Sequence, residues 1–282
     1  MPKENRAVLT SFYPLTYFAE QIAGDRVSVR SLCPPETDPS FWNPSRADLQ
    51  EFQSASLILL NGAGYEHWAA TAALPIERVI VTSRPFEAEL LSLPSVIHSH
   101  GPGGVHTHSG IDGHTWMDPV LARRQAAEIL TALTQRWPVD GPAFEEGFKR
   151  LSQEFDALDL AFRELTPGLK RMVIFTSHPA YGYLARRFDW SVTSVPLPPD
   201  EAPAPEVWEA VRNAVAAAGP GRCLMLFESE PLPVIRERLQ TEWQILPVVF
   251  QTCESPPPDG NYFTRMQTNV ESLRRVVGQA YL

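Results

Sequence analysis

The first half of the chain alternates between two hydrophobic patterns. Short aliphatic runs, of the kind buried in a parallel sheet, occur in RAVLTSF, VSVRSLC, ASLILLNG and RVIVTS. Between the first two runs, Leu15, Phe18 and Ile22 are spaced three and four residues apart and share one face of a predicted helix. The pattern therefore predicts a repeat of strand followed by helix.

The second half repeats this rhythm. Its strand-like runs are RMVIFTS, SVTSVPL, CLMLFES and QILPVVFQ, and its helical segments are PAYGYLARRF, APEVWEAVRNAVAAAG, PLPVIRERLQ and NYFTRMQTNVESLRRVVGQAYL. Strands that alternate with helices favour a parallel sheet covered by helices on both faces. We therefore predict an α/β fold with two lobes, each a parallel sheet flanked by helices.

A long amphipathic helix is predicted between the two halves. Its apolar residues alternate four and three apart in a single stripe, which consists of Phe144, Phe148, Leu151, Phe155, Leu158, Phe162 and Leu165. At 1.5 Å per residue, about 24 residues give a helix of roughly 36 Å, and Pro167 and Gly168 are expected to end it. Such a helix either packs on one core or joins two domains. Its position in the middle of the chain favours the second interpretation.

The predicted organisation has three parts. Residues 1–138 form an N-terminal α/β lobe, residues 139–167 a long connecting helix, and residues 168–282 a C-terminal α/β lobe. Residues 84–118 are expected to be mostly loop and to contain a histidine-rich loop at 98–113. A length of 282 residues agrees with two domains, since domains typically have about 100–200 residues.

Composition and charge narrow the class of ligand. With 44% hydrophobic and 20% charged residues, the chain has the composition of a globular protein. It has no run of about 18 apolar residues, so a membrane span is not expected. The formal net charge of −9 disfavours nucleic acid and anionic membrane surfaces as partners. The same charge favours a cationic ligand.

The cysteines and the N-terminal segment add little chemistry. The three cysteines, Cys33, Cys223 and Cys253, lack CxxC spacing, which disfavours both a zinc ribbon and a disulfide scaffold. The segment MPKENRAV lacks the apolar region of a secretory signal. Either the protein is cytoplasmic, or a signal sequence has been removed from this form.

Metal-binding residue types follow the predicted strands. In open α/β sheets, ligands bind beyond the carboxyl ends of the strands. The side chains expected there are Asp38, Ser40, His114, His178, Glu228, Glu230, Cys253, Glu254 and Asp259. Imidazole and carboxylate together are typical ligands of Zn²⁺. A structural role stays open for each histidine, since His178 can cap a helix and His114 can bond to its own turn.

Four further histidines form a separate group in the histidine-rich loop. His98, His100, His106 and His108 are interleaved with Gly, Ser, Thr and Pro, which predicts a mobile backbone. Such an accessory loop is typical of weak metal capture, and a solvated loop with incidental histidines is the alternative interpretation.

Familiar enzyme motifs are absent from the sequence. The chain contains no HExxH, GxSxG or GxxxxGK[ST] motif, and no GxGxxG between a strand and a helix. This absence disfavours the best-marked enzyme classes without excluding enzymes in general, and the expected protein is a binding protein, not an enzyme. A zinc hydrolase is the minor alternative, because three protein ligands and a water form a catalytic zinc site. Glu228 or Glu230 would then be the general base.

Several stretches, taken together and in order, carry a family resemblance. They are SFYPLTYFAEQIAGDRVSVRSLCPPETDPSFWNPSRADLQEFQSASLILLNGAGYEHW, DGHTWMDP, FTSHPAYGYLARRFDW, LPPDEAPAPEVWEAVRNAV, LMLFESE and DGNYFTRMQTNVESL. The chain resembles the periplasmic metal-binding proteins of zinc and manganese ABC transporters, the cluster A-I solute-binding proteins. The resemblance implies two lobes joined by a long helix, with a divalent metal held between the lobes for delivery to an ABC permease. It also implies a monomer outside the cytoplasm, whose signal sequence has been removed.

The resemblance places the metal ligands at particular positions. The family's first histidine ligand falls at Ser40, and the next two ligands fall at His114 and His178. The last ligand is implied at Glu254, with Cys253 and Asp259 as competitors and Glu228 as a further site-lining residue. Manganese members tend to have glutamate where His178 stands, so Zn²⁺ is expected in preference to Mn²⁺.

Ser40 is the main departure from the family pattern. A serine hydroxyl is a poor zinc ligand, so the loss of an imidazole here is expected to weaken the site. Three outcomes are open: water completes the site, a histidine of the accessory loop folds in, or tight binding is lost. The neighbouring Trp42 and Asn43 suggest a remodelled site. The alternative function is therefore a weak metal binder or an interaction protein.

Overall fold

The computed structural model describes residues 6–99 and 105–279. Within these ranges the strands are β1 (Ala7–Thr10), β2 (Ser28–Ser31), β3 (Leu57–Leu60), β4 (Val79–Val81), β5 (Ser92–Ser99), β6 (Val105–Ile111), β7 (Met172–Thr176), β8 (Val192–Ser194), β9 (Arg222–Phe227) and β10 (Ile245–Val249). The helices are α1 (Tyr13–Ala23), α2 (Arg46–Ser54), α3 (Pro119–Arg136), α4 (Gly141–Leu169), α5 (Gly182–Phe188), α6 (Pro205–Ala218), α7 (Pro233–Trp243) and α8 (Tyr262–Gln279). The predicted α/β class is confirmed, since strands alternate with helices in both halves.

The chain divides into two compact units, each built from separated segments. Unit 1 consists of Met1–Leu90, Asp118–Leu158 and Cys253–Thr264. Unit 2 consists of Leu91–Met117, Asp159–Thr252 and Arg265–Leu282. These boundaries differ from the predicted 1–138, 139–167 and 168–282, because the chain returns to unit 1 after β10 and joins unit 2 early, at β5.

Unit 1 contains a four-stranded parallel sheet in the order β2-β1-β3-β4. All four residues of β3 are buried, as expected for a strand covered on both faces. Helix α2 begins with the capping box that its sequence indicates: Ser45 Oγ accepts from the Asp48 N–H at 3.2 Å, and Asp48 Oδ2 accepts from the Ser45 N–H at 2.7 Å. The sheet thus places the β1 and β3 carboxyl ends, and the loops that follow them, at one edge.

Unit 2 contains a second four-stranded parallel sheet, in the order β10-β9-β7-β8. One of its two central strands, β9, is buried from Cys223 to Phe227. Phe175 of β7, Trp208 of α6 and Ile235 of α7 pack in the same core cluster. The carboxyl ends of β7 and β9 are adjacent, so the residues that follow them, His178 and Glu228, are brought to the same edge.

The prediction that residues 84–118 are mostly loop is wrong. The segment contains a 3₁₀ helix, Arg84–Glu89, and the antiparallel pair β5 and β6. In the backbone register His98 faces His106, and Val96 faces His108. The composition of this segment, rich in Gly, Ser, Thr and Pro, is typical of a loop. Antiparallel pairing nevertheless satisfies the backbone hydrogen-bonding groups of β5 and β6.

Helix α4 extends past the predicted stop at Pro167 and ends at Leu169. A proline this close to the end of a helix removes one hydrogen bond and leaves the preceding turns intact. Leu169 is fully buried, and the Lys170 N–H donates to Thr166 O at 2.9 Å, so packing and a further bond hold the last turn. The described helices include none with the length and hydropathy needed to cross a membrane.

Candidate metal centre

Two of the predicted ligands lie side by side in unit 2. His114 lies between β6 and the 3₁₀ turn Thr115–Met117, and His178 lies just beyond the end of β7. Their ring centroids are 5.3 Å apart with an interplanar angle of 83°. The side chains are largely buried, with 12% and 16% of their surface exposed. The structure therefore brings together two imidazoles that the sequence separates by more than sixty positions.

Asp112 orients the first of these rings. Its Oδ1 accepts a hydrogen bond from the His114 backbone N–H at 2.9 Å and lies 2.8 Å from His114 Nδ1. The Asp112 side chain is only 1% exposed. The carboxylate therefore fixes the orientation of the His114 ring through its Nδ1 edge. Sequence reasoning missed Asp112, although an aspartate two positions before a candidate ligand was the available signal.

Trp116 fixes the loop that carries His114. Its indole N–H donates to Thr252 O at 2.7 Å, and its ring centroid is 5.3 Å from that of His114. The Trp116 side chain is fully buried. This buried hydrogen bond holds the loop that carries His114 against the segment that follows β10, within unit 2.

Two glutamates follow β9 and have different surroundings. Glu228 Oε2 is 4.0 Å from His178 Nδ1, and the Glu228 side chain is 32% exposed. Glu230 forms an ion pair with Arg236 on the exposed surface. Of the two predicted general bases, Glu228 is thus the one beside a candidate ligand.

Ser40 and its neighbours lie in unit 1. The Ser40 hydroxyl donates to Asp38 Oδ1 at 2.7 Å, and the Ser40 backbone N–H donates to the same oxygen at 2.9 Å. Trp42 is buried, and its ring lies 5.8 Å from that of Trp68 in a T-shaped arrangement. The interpretation of Trp42 as part of a remodelled site is therefore wrong, because it anchors the loop in the hydrophobic core of unit 1.

The three candidates for the last ligand also lie in unit 1. Asp259 is exposed, whereas Cys253 is buried and has a φ of 62°, in the left-handed region that non-glycine residues rarely occupy. Glu254 is partly buried and lines a cavity of about 350 Å³ together with Tyr13 and Cys33. Its backbone oxygen accepts from the Tyr13 N–H at 3.3 Å. Glu254 thus combines a carboxylate with partial burial and stays our predicted third ligand.

The metal ligands other than His114 and His178 stay predictions. In the part of the chain that the structure describes, no group of three or more His, Cys, Asp or Glu side chains is arranged to hold a metal ion. His98, His106 and His108 lie on β5 and β6, but their side chains fall outside the described residues, as does the whole of His100. The contribution of the accessory loop is therefore a matter for experiment.

Glu66 is a buried carboxyl group at the strand ends of unit 1. Its Oε1 accepts from Ser11 Oγ at 2.5 Å and from the Asn61 N–H at 2.6 Å, and its Oε2 accepts from the Gly62 N–H at 3.0 Å. Burial raises the pKa of Glu66 above the ordinary value of 4.5, against the opposing effect of these donors. Glu66 therefore joins the segments that follow β1 and β3.

The Glu66→Gln variant is expected to lose part of the pH dependence of stability. Because the folded-state pKa lies above 4.5, the carboxyl group favours folding below that pH and loses this contribution as the pH rises through the folded-state pKa. The urea concentration at the unfolding midpoint of the wild type should therefore fall as the pH rises from 4.5 through the folded-state pKa. The Glu66→Gln variant should show a smaller fall over the same pH range. Glu36→Gln, at an exposed position, is the control. Identical pH profiles for Glu66→Gln and the wild type would contradict the assignment.

Comparison with known proteins bears on the whole chain. The family model described as zinc-uptake complex component A (ZnuA), periplasmic, matches residues 8–276. The zinc-binding lipoprotein AdcA of Streptococcus pneumoniae is 25% identical over 287 residues, which cover 96% of the chain and 56% of AdcA. The chain therefore spans just over half the length of this curated relative.

Solved structures share the fold. The Zn(II)-bound ZnuA-like domain of Streptococcus pneumoniae AdcA has a TM-score of 0.79 at 23% identity, covering 97% of this chain and 99% of that domain. The solute-binding protein FpvC of Pseudomonas aeruginosa, in complex with Mn²⁺, has a TM-score of 0.78 at 20% identity, covering 98% and 100%. At these identities the likeness shows the fold alone.

Proposed function

The chain belongs to the zinc-uptake complex component A family, and from this premise we propose that it captures a divalent metal ion and delivers it to the permease of an ABC transporter. Zn²⁺ is the proposed ion and Mn²⁺ the second to test. The proposed role is binding rather than catalysis. The net charge of −9 supports a cationic ligand, since it raises the local concentration of cations.

The observation that carries the proposal is the pair of buried imidazoles of His114 and His178, whose ring centroids are 5.3 Å apart. Asp112 Oδ1 lies 2.8 Å from Nδ1 of His114. Two imidazoles favour Zn²⁺ over Mn²⁺, which prefers carboxylate and water oxygens. The family likeness supports Zn²⁺ through AdcA, a zinc-binding lipoprotein. FpvC, crystallised with Mn²⁺, is the reason to titrate both metals.

We propose His114, His178 and Glu254 as the protein ligands. The fourth donor is water or a histidine of the accessory loop. Competition between the metal-free protein and a zinc chelator tests the proposal, with Mn²⁺ titrated in parallel. We expect a Kd for Zn²⁺ below about 1 μM and weaker binding of Mn²⁺. Zinc binding weaker than this limit would refute the proposed function.

The cell compartment and oligomeric state follow from the same premise. We propose a periplasmic or otherwise extracytoplasmic location, because the matched family is described as periplasmic and AdcA is a lipoprotein. We also propose a monomer. Light scattering of the purified protein, with and without Zn²⁺, tests the second point: a mass of twice the chain would contradict it.

A weak metal binder, or an interaction protein with a degraded site, is the second candidate. It is favoured by Ser40, whose hydroxyl is already donated to Asp38 Oδ1 at 2.7 Å. A serine hydroxyl is also not among the usual protein ligands of Zn²⁺, which are Cys sulfur, His nitrogen and Asp or Glu oxygen. The two candidates differ in the zinc affinity of the wild type, which is high for the first and low for the second.

Two substitutions at Ser40 test the part that this residue plays in metal binding. Ser40→Ala is expected to change the zinc Kd by less than about threefold, because the hydroxyl contributes a hydrogen bond to Asp38 and no metal bond. Ser40→His supplies an imidazole and is expected to tighten binding by about tenfold, or about 1.4 kcal/mol. Chelator competition measures both. A large loss of affinity in Ser40→Ala would show that the serine itself is a ligand.

A further inference from the structure

We propose that a cavity beside β4 in unit 1 binds an organic anion, a carboxylate with a compact apolar body, whose charge is recognised by Arg84. The cavity has a volume of about 470 Å³, within the range of about 300–1,000 Å³ that is typical of small-molecule sites. Its lining residues all belong to unit 1 and include none of the proposed metal ligands. This binding site is therefore additional to the proposed function and does not depend on a metal ion.

Aliphatic side chains form most of the wall of this cavity. Leu60 ends β3 and Val81 ends β4, and the two residues are partners in the parallel register. Val79 lies on the same side of β4 as Val81, because side chains two positions apart in a strand share a face. Ala72 and Leu74 come from the segment that precedes β4 and are partly buried. A ligand with an apolar body would cover this surface and remove it from water.

Two glycines shape the part of the wall that follows β3. Gly62 has a φ of 78°, and a Cβ atom placed there would lie 2.4 Å from Cγ1 of Val81, so only glycine lets the loop pack this closely against β4. At Gly64, a Cβ atom would meet no atom of the described chain within 4 Å. The loop therefore contacts the strand at one residue and leaves open space two residues later, as a concave site requires.

Arg84 supplies a positive charge at this cavity. Within the described ranges, its side chain makes no hydrogen bond and no ion pair. Two nearby arginines are paired, since Arg78 lies 3.5 Å from Glu77 and Arg124 lies 2.6 Å from Glu89. A guanidinium carries N–H donors in a planar fork that matches the two oxygens of a carboxylate. Arg84 therefore favours a carboxylate as the polar end of the ligand.

Glu66 is the acidic residue of the lining, and its carboxylate is already engaged by the protein. Its two oxygens accept hydrogen bonds from the Ser11 hydroxyl and from the backbone N–H groups of Asn61 and Gly62. Only 7% of Glu66 is exposed, whereas Arg84 is an exposed residue. The charge that a ligand meets in this cavity is therefore mainly that of the guanidinium, and it selects an anion over a cation.

The first test is a titration of the ¹⁵N-labelled protein with sodium octanoate, followed by ¹H–¹⁵N correlation NMR. We expect saturable shifts at the amides of Gly62, Gly64 and Ala72, with a Kd below about 1 mM. 1-Octanol has the same apolar body without the charge and should bind at least about fivefold more weakly. The proposal is refuted if octanoate gives no saturable shift at these amides up to about 10 mM, or if octanol binds equally well.

The second test removes the charge of Arg84. Arg84→Gln is expected to weaken octanoate binding by about 5- to 10-fold and to leave octanol binding unchanged, because only the carboxylate uses the guanidinium. Arg46→Gln removes another exposed arginine of unit 1, outside the cavity, and is the matched control. Octanoate binding in Arg84→Gln that equals that of the wild type would overturn the recognition of an anion.

The third test fills the cavity. Ala72→Phe places a ring in the space that the apolar body needs and is expected to weaken octanoate binding by about tenfold or more. Ala73→Phe, at the exposed neighbouring position outside the lining, is the matched control. Urea unfolding of both variants shows whether they are folded. Wild-type octanoate affinity in folded Ala72→Phe would contradict this location, and if that variant fails to fold, the comparison of Arg84→Gln with the wild type still decides.

Discussion

Replacement of either His114 or His178 by alanine is expected to weaken zinc binding by about 100-fold or more. The two rings form a buried pair with centroids 5.3 Å apart, and each supplies a nitrogen that alanine lacks. Residues that merely orient a ligand cost about 10- to 100-fold when removed, so loss of the ligand itself lies at the upper end or beyond. Isothermal titration calorimetry or chelator competition measures the effect.

A matched control and a double variant sharpen this prediction. His67→Ala removes an exposed histidine of unit 1 and is expected to leave the Kd unchanged. Because His114 and His178 are proposed to bind one ion, the losses of zinc-binding free energy in the two single variants should not be additive. The double variant should lose less binding free energy than the sum of the two single losses. Losses that simply add would indicate two independent weak sites. Wild-type affinity in either single variant would remove that histidine from the ligand set.

Phe155→Ala is expected to destabilise the protein by about 3–5 kcal/mol. The Phe155 ring is buried in unit 1, and its centroid lies 5.2 Å from that of Phe18 and 4.9 Å from that of Phe263. Removal of a buried aromatic ring loses its transfer free energy and leaves a cavity that close-packed neighbours fill only in part. Urea unfolding monitored by fluorescence measures the change in free energy.

Leu160→Ala in the same helix is the control for this prediction. Its side chain is 57% exposed, so the change is expected to cost about 0.5 kcal/mol or less. Comparison of the two variants separates the loss of packing from any general effect on α4. A loss at Leu160 as large as that at Phe155 would mean that α4 is stabilised by its helical sequence rather than by its buried stripe.

The sequence predicts the parallel strands well, because each strand can be recognised from its own short run of apolar residues. A run such as Leu57–Leu60 is apolar at every position, and a short run of this kind is typical of a strand buried on both faces. Strand ends then indicate where ligands gather, and this holds for His178, which follows the parallel strand β7. His114 instead follows β6 of the antiparallel pair, so its position depends on a pairing that the sequence did not predict. Periodicity also predicted α4, although not the turn that continues past Pro167.

Features that depend on distant partners could not be predicted in this way. The pairing of β5 with β6 joins segments of His, Ser, Thr and Gly, whose composition indicates loop. The bond from Trp116 to Thr252 spans 136 positions, and no local pattern encodes it. Trp42 was assigned to the site because of its neighbours in sequence, whereas its ring packs against Trp68 in the core. Asp112 differs from these features, because it has a local signal two positions before His114 in DGHTWMDP.

The contribution of residues 253–264 to unit 1 has a consequence for biosynthesis. The ring of Tyr262 stacks on Tyr17 at 6.2 Å and contacts Phe18 at 5.1 Å, so the core around α1 is completed by residues more than two hundred positions later in the sequence. These residues are synthesised more than two hundred positions after α1. During translation, α1 therefore emerges with an aromatic surface that stays uncovered until residues 253–264 have been made. This places a long-range contact among the final steps of folding and makes a chaperone most useful in that interval.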